Sequence, residues 1–319
     1  MPPDVAIPAF YWMAFIGAVL VFLALDLGVF HRKAHEVTVK EAGCWTALWT
    51  TLALIFGSFL APRVIPGWDR VETVEFITGY LIELSLSMDN VFVIALIFTY
   101  FGVAKSYQHR VLFWGIIGAL ALRGLMIWLG AALISRFEWM LYALGAFLIF
   151  TGIKMVLAGD EELEPEKNPV VRLARRLFPI SQNYDGSRFT TAVSGKRMLT
   201  PLALVLIMVE TTDLIFAVDS IPAIFAITQK PFIVFTSNIF AIMGLRSLYF
   251  VLAGAIGYFK YLKAGLSLVL CFIGLKMLIA HFYKIPTLLS LVVVGGIIGC
   301  AVGLSWLAAR RDARSTQNS

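Results

Sequence analysis

Five carboxylates sit in stretches of this 319-residue chain that are otherwise apolar. Glu83 and Asp89 lie in ELSLSMDNVFVIA, and Glu210, Asp213 and Asp219 lie in VETTDLIFAVDSIPAIFAIT. Asn90 and Ser220 directly follow the aspartates at 89 and 219. A carboxylate at the centre of a membrane-spanning helix costs about 2.5–3.5 kcal/mol on insertion scales, so each needs something to offset it. A proton, a pairing with Arg123, Arg246, Lys154 or Lys276, or a bound cation would serve. Carboxylate, amide and hydroxyl oxygens are hard ligands. They suit Mn²⁺, Mg²⁺ or Ca²⁺ better than Zn²⁺ or Cu⁺, for which no His or Cys stands beside these acids. Met88 adds a thioether that favours Mn²⁺ slightly, although a lone Met in a span is usually packing.

The elements must bring these groups together. At 100° per residue Glu210 and Asp213 share a helix face, whereas Asp213 and Asp219 stand about 120° apart and about 9 Å along the axis. One regular helix does not converge them. Pro222 lacks an N–H and clashes with the carbonyl of Val218, so a kink is expected there, turning Asp219 inward and freeing a backbone oxygen beside it. No proline follows Asp89. A lone intramembrane Asp is often a structural hydrogen-bond partner, and Asp26 in LALDLG reads equally as that or as an accessory on a proton path. Arg123 and Arg246 are expected to balance the acids, and Lys154 and Lys276, near helix ends, to snorkel.

With 60% hydrophobic residues, 14% charged residues and a mean hydropathy of +0.85, the fold class is an all-α polytopic membrane protein. Apolar runs at 8–30, 42–61, 74–101, 111–135, 137–157, 198–228, 231–256, 262–281 and 287–308 predict about nine spans. The first is not a signal peptide, because His31, Arg32 and Lys33 follow the apolar run and no base precedes it. An N-out, C-in topology puts 17 of the 26 Lys and Arg in inside loops and 5 outside; the other 4, Arg123, Lys154, Arg246 and Lys276, lie within or beside spans. The net charge of +6 then reflects loops facing anionic lipid, and no nucleic-acid partner is implied. Cys44, Cys271 and Cys300 form no CxxC pair and read as packing residues. The loop at 158–197, opening GDEELEPEKNP and continuing VVRLARRLF, reads first as a charged linker and second as a surface amphipathic helix or regulatory segment.

The two halves resemble each other. Glu83 with Asp89-Asn90 aligns with Asp213 with Asp219-Ser220, ALRGLMIWLGA around Arg123 with GLRSLYFVLAGA around Arg246, and FLIFTGIKM with LCFIGLKML. Each unit is three helices long, and in this topology the two are inverted, as in many secondary transporters with midplane sites. The chain divides into two N-terminal transmembrane helices (1–72), a first three-helix repeat (73–157), a cytoplasmic loop (158–197), a second, inverted repeat (198–284), and a last transmembrane helix with a basic tail (285–319).

At SLSMDNVFV, VETTDLIFAVDSIPAIFAIT, FTSNIFAIMGLRSLYF and FIGLKMLI the chain resembles the TerC family of bacterial integral membrane proteins, named after tellurium resistance, and within it the Alx-like manganese-exporting branch. The resemblance implies a protein of the bacterial cytoplasmic (inner) membrane that exports Mn²⁺. Its functional acids carry over to Asp89 and Asp219, with Glu83, Glu210 and Asp213 as further acids and Asn90 and Ser220 as neighbours. The expectation is a secondary transporter with protons exchanged at the same carboxylates. No GxxxxGK[ST] stands in the chain to bind ATP. No tightly bound cofactor is expected, since Mn²⁺ is cargo. Partners are the divalent cation and the bilayer, with other copies or membrane proteins as further candidates. An assembly or metal-loading factor, or a tellurite-stress protein without transport, is the alternative. An intramembrane aspartyl protease lacks its GxGD motif, since AVDS and SMDN stand there instead.

Overall fold

The computed structural model describes residues 7–25, 38–137, 139–157, 169–193, 196–253, 261–280, 282–283 and 285–317. Asp26, the basic residues Arg32 and Lys33, and the acidic opening of the long loop lie outside the described residues. The elements are α1 (Ala9–Leu25), α2 (Val39–Ile55), a π-helical turn (Phe56–Leu60), α3 (Ala61–Val64), α4 (Arg70–Tyr100), α5 (Lys105–Arg136), α6 (Met140–Leu157) and α7 (Pro169–Leu177). Then come the hairpin strands β1 (Thr190–Val193) and β2 (Lys196–Leu199), followed by α8 (Pro201–Phe225), α9 (Pro231–Ala253), α10 (Leu262–Ile279) and α11 (Thr287–Gln317).

Among the described residues, 8 helical stretches are long and apolar enough to cross a membrane: Lys40–Val64, Arg70–Tyr100, Lys105–Arg136, Met140–Leu157, Pro201–Phe225, Pro231–Leu252, Leu262–Ile279 and Thr287–Ala308. The chain is thus a polytopic, nearly all-helical membrane protein. The first expected span coincides with α1, whose 17 described residues are apolar but shorter than those stretches.

Local chemistry sets the ends of the helices. Asp69 caps α4, its carboxylate accepting from the Val71 amide at 3.0 Å, while Glu72 reaches back to accept from the Asp69 amide at 3.0 Å. At the other end of α4 Gly102 takes φ +61, a left-handed turn that a side chain would strain, and the chain reverses into α5. Pro231 opens α9 at the position where a missing N–H costs nothing.

The centre of the bundle is α4, α5, α8 and α9. α4 packs on α9 and α8, and α5 packs on α8 and α9. α9 is buried along most of its length, whereas α6 and α11 leave most of theirs uncovered. On the flank, α6 and α10 approach so closely that a Cβ on Gly274 would stand 2.6 Å from the Gly145 carbonyl oxygen, and one on Gly152 would stand 2.7 Å from the Cys271 sulfur. Small residues at such contacts let backbones touch where lipid offers no hydrophobic driving force. Ser267 Oγ donates to the Gly152 carbonyl at 2.5 Å across the same contact.

α8 continues as an α-helix through Pro222 to Phe225, so the proline does not end it. Pro222 lies close to the end of the helix, where few backbone bonds remain to be lost. Lys276 does not snorkel: it is 8% exposed and faces Glu75 of α4. The part of the long loop that is described is also more than a linker. α7 and the hairpin fold against the end of the bundle, where Tyr184 Oη donates to the Phe101 carbonyl at 2.7 Å and Arg110 of α5 donates to Ser187 Oγ at 3.0 Å.

Candidate functional site

Four helices contribute to one buried polar cluster. Glu83 of α4, Arg123 of α5 and Asn238 of α9 are each no more than 1% exposed, and Asp213 of α8 is 4% exposed. Arg123 grips Asp213 with two parallel bonds, Nε to Oδ2 at 3.0 Å and Nη2 to Oδ1 at 2.7 Å. Its Nη1 donates to Glu83 Oε1 and, at 3.2 Å, to Asn238 Oδ1. Asn238 Nδ2 closes the ring by donating to Glu83 Oε2 at 3.0 Å. Asn90, two turns beyond Glu83 on the same face of α4, donates to Asp213 Oδ1 at 2.9 Å. Two carboxylates therefore share one guanidinium, and three of the four carboxylate oxygens are held by the arginine.

Glu210 sits one turn before Asp213 on α8 and packs over Gly118 of α5. A Cβ at Gly118 would fall 2.0 Å from Glu210 Oε1, so this seat exists only because the residue is glycine. The other oxygen, Glu210 Oε2, is buried without a hydrogen-bond partner, as are Asn90 Oδ1, Ser87 Oγ and Ser220 Oγ. A small cavity beside the cluster is lined by Asn90, Asp213, Arg246, Gly115 and Val209.

Asp89 and Asp219 lie elsewhere. Both are half-buried. Asp219 accepts from Thr151 Oγ1 of α6 at 3.3 Å, and Asp89 lies within electrostatic reach of Lys263 at the start of α10. The matched aspartates thus look toward the α6–α10 pair, while the matched acids Glu83 and Asp213 meet on Arg123. Among the described residues no three His, Cys, Asp or Glu side chains gather as a metal-binding group.

Two features escaped the sequence reading. Asn238 lies in the polar run Thr236-Ser237-Asn238 of an otherwise apolar helix, and that run was the available signal. A second polar cluster forms where α4 begins: Lys230 pairs with Glu72, Thr228 Oγ1 donates to Glu75 Oε2 at 2.7 Å, and Lys276 stands nearby. Only the position of Glu72 and Glu75, at the start of an apolar run, hinted at it.

The profile of the integral membrane protein TerC family matches residues 68–314, which contain every residue of both clusters. The chain belongs to the TerC family. Among TerC-like relatives, an uncharacterized membrane protein, STKORF319, of Myxococcus xanthus is 52% identical over 308 residues, covering 97% of this chain and 95% of its own. A protein of Escherichia coli K12, named as a candidate membrane-bound redox modulator, Alx, is 47% identical over 307 residues, 94% of this chain and 96% of its own. An uncharacterized membrane protein of Rickettsia bellii is 40% identical over 282 residues. No solved structure matches the chain.

Proposed function

We propose that this TerC protein is a secondary transporter exporting a divalent cation, foremost Mn²⁺, across the bacterial inner membrane. The observation that carries the reading is the meeting of Glu83 and Asp213, matched acids of the two three-helix units, on one arginine at the centre of the bundle. The packing supports an inverted repeat. The first helix of each unit lies on the second of the other, α4 on α9 and α8 on α5, while α6 lies on its counterpart α10. A two-fold relation between the units generates such reciprocal contacts.

In this reading Arg123 holds the acids neutralised until a cation draws them away. Asp89, Asp219, Glu83, Asp213, Asn90 and Ser220 supply hard oxygens along α4 and α8. The buried oxygens of Asn90, Ser87 and Ser220 that lack partners are the kind a dehydrated cation would coordinate. Glu210, whose Oε2 has no partner, is the carboxyl placed to exchange a proton without breaking an ion pair. Proton exchange matters energetically, since an inside-negative potential opposes exit of a dication by about 4.6 kcal/mol per 100 mV. The redox role in the relatives' name would follow indirectly, from the size of the Mn²⁺ pool. The cysteines Cys44, Cys271 and Cys300 stand on three different helices, all free.

Purified protein in proteoliposomes tests the proposal, with Mn²⁺, Ca²⁺, Mg²⁺ and Zn²⁺ flux compared across a set pH gradient. Mn²⁺ flux that scales with the gradient is expected. Failure to move any divalent cation overturns transport and leaves the assembly or metal-loading role. Flux indifferent to the gradient overturns only the proton coupling.

A further inference from the structure

Helix α7 has three faces. At ~100° per residue Val171 and Ala174 fall on one of them, and both are buried in the apolar cluster that holds Leu202 and Val205 of α8. Val170, Leu173 and Leu177 fall together on the adjoining face, exposed at 42%, 54% and 64%. Arg172, Arg175 and Arg176 occupy the remaining arc and are exposed, and none of them has an ion-pair partner among the described residues. Among the described residues the apolar arc of the helix is therefore wider than the bundle covers, and its basic arc meets no counter-charge.

The surroundings say what covers the rest. α7 leads through the hairpin into α8, a spanning helix, so the helix sits at the rim of the membrane-embedded bundle. An apolar stripe at that rim meets acyl chains, and three arginines beside it meet phosphates. Long basic side chains extend their charge to the headgroups while their stems stay in the apolar layer. We propose that α7 is an interfacial helix that binds the anionic surface of the bilayer, with Leu173 and Leu177 inserted and Arg172, Arg175 and Arg176 on phospholipid headgroups. Because Val171 and Ala174 pack on α8, the site ties the lipid surface to the helix that carries Glu210, Asp213 and Asp219.

The test uses the full chain with Cys44, Cys271 and Cys300 replaced by Ala, spin-labelled at Leu173→Cys or Arg176→Cys in nanodiscs. The discs contain phosphatidylcholine with or without phosphatidylglycerol. With phosphatidylglycerol, the label at 173 should collide several-fold more with oxygen than with a water-soluble nickel chelate, and the label at 176 should show the reverse. Replacing Arg172, Arg175 and Arg176 by Gln should abolish the difference between the two lipids at position 173. A label at 173 open to nickel in phosphatidylglycerol overturns the proposal. Dipolar broadening between labels overturns it in favour of a second copy on this face, and shielding from both reagents overturns it in favour of a protein segment.

Discussion

Arg123 shows how much a single side chain can be asked to do. It is 1% exposed and serves two carboxylates from two different helices. Removing one partner of a buried ion pair typically costs about 3–5 kcal/mol, because the other charge is left stranded. Arg123→Gln should therefore lower the melting temperature of the detergent-solubilised protein strongly. Adding Asp213→Asn to that variant should restore part of the loss, and two additive losses would show that the pair is not coupled. Gly118 makes the complementary prediction. Gly118→Ala places a methyl on the Glu210 carboxylate, so cation flux should fall at least about tenfold, a barrier change of about 1.4 kcal/mol. The far-UV circular dichroism should stay unchanged. The acids themselves were legible in the sequence, because a charge in an apolar run is conspicuous. Which of them meet was not. Glu83 and Asp89 are six residues apart and point in different directions, and only the packing of α4 between α9 and α10 decides which looks at Arg123.

At the level of the helices, the contact between α6 and α10 rests on glycine. A valine at 274 would press against the Gly145 carbonyl and the Ile149 side chain. Gly274→Val should destabilise by about 1–3 kcal/mol, the usual cost of overpacking, read as a lowered thermal midpoint. The stretch between α7 and the hairpin gives a milder test. Tyr184→Phe removes one hydrogen bond worth about 1 kcal/mol and should speed proteolysis within 178–200 without unfolding the bundle. Burial holds the Tyr184 phenol above its ordinary value of 10.0. A group whose ionisation is raised on folding favours its protonated form there. The contact is thus fully present below pH 10 and is lost as pH rises through the higher folded value, so alkaline solution should mimic the Phe variant. Helix positions were readable because apolar runs are local signals. The fold of 169–200 was not, since the stretch between α7 and the hairpin is held through Tyr184 and Ser187 by Phe101 and Arg110, which are remote in sequence.

For the molecule as a whole, the polar clusters divide the bundle along α4. Glu72 and Glu75 tie its beginning to the α8–α9 turn, Glu83 and Asn90 hold its middle to α5, α8 and α9, and Tyr184, ahead of the hairpin, bonds to the turn that follows it. Under the proposed function Asp89→Asn and Asp219→Asn should each abolish Mn²⁺ flux in proteoliposomes while leaving the melting temperature nearly unchanged, because neither carboxylate takes part in the Arg123 network. A large stability loss with normal flux would make them structural instead.

The lengths of the helices carry a consequence for the membrane around them. α4 and α5 have 31 and 32 residues, and α10, closed by Tyr261 at one end and Ala280 at the other, has 18. At 1.5 Å per residue the long pair is about 46–48 Å long and α10 about 27 Å, against a hydrocarbon core of about 30 Å. The long helices absorb a thicker bilayer by changing tilt, but α10, clasped backbone to backbone against α6, has no spare length. Bilayer thickness should therefore act on this protein through α10. In proteoliposomes of graded acyl length, activity should peak where the core matches α10 and fall in thicker bilayers, with cholesterol-like thickening agents reproducing the loss at constant chain length.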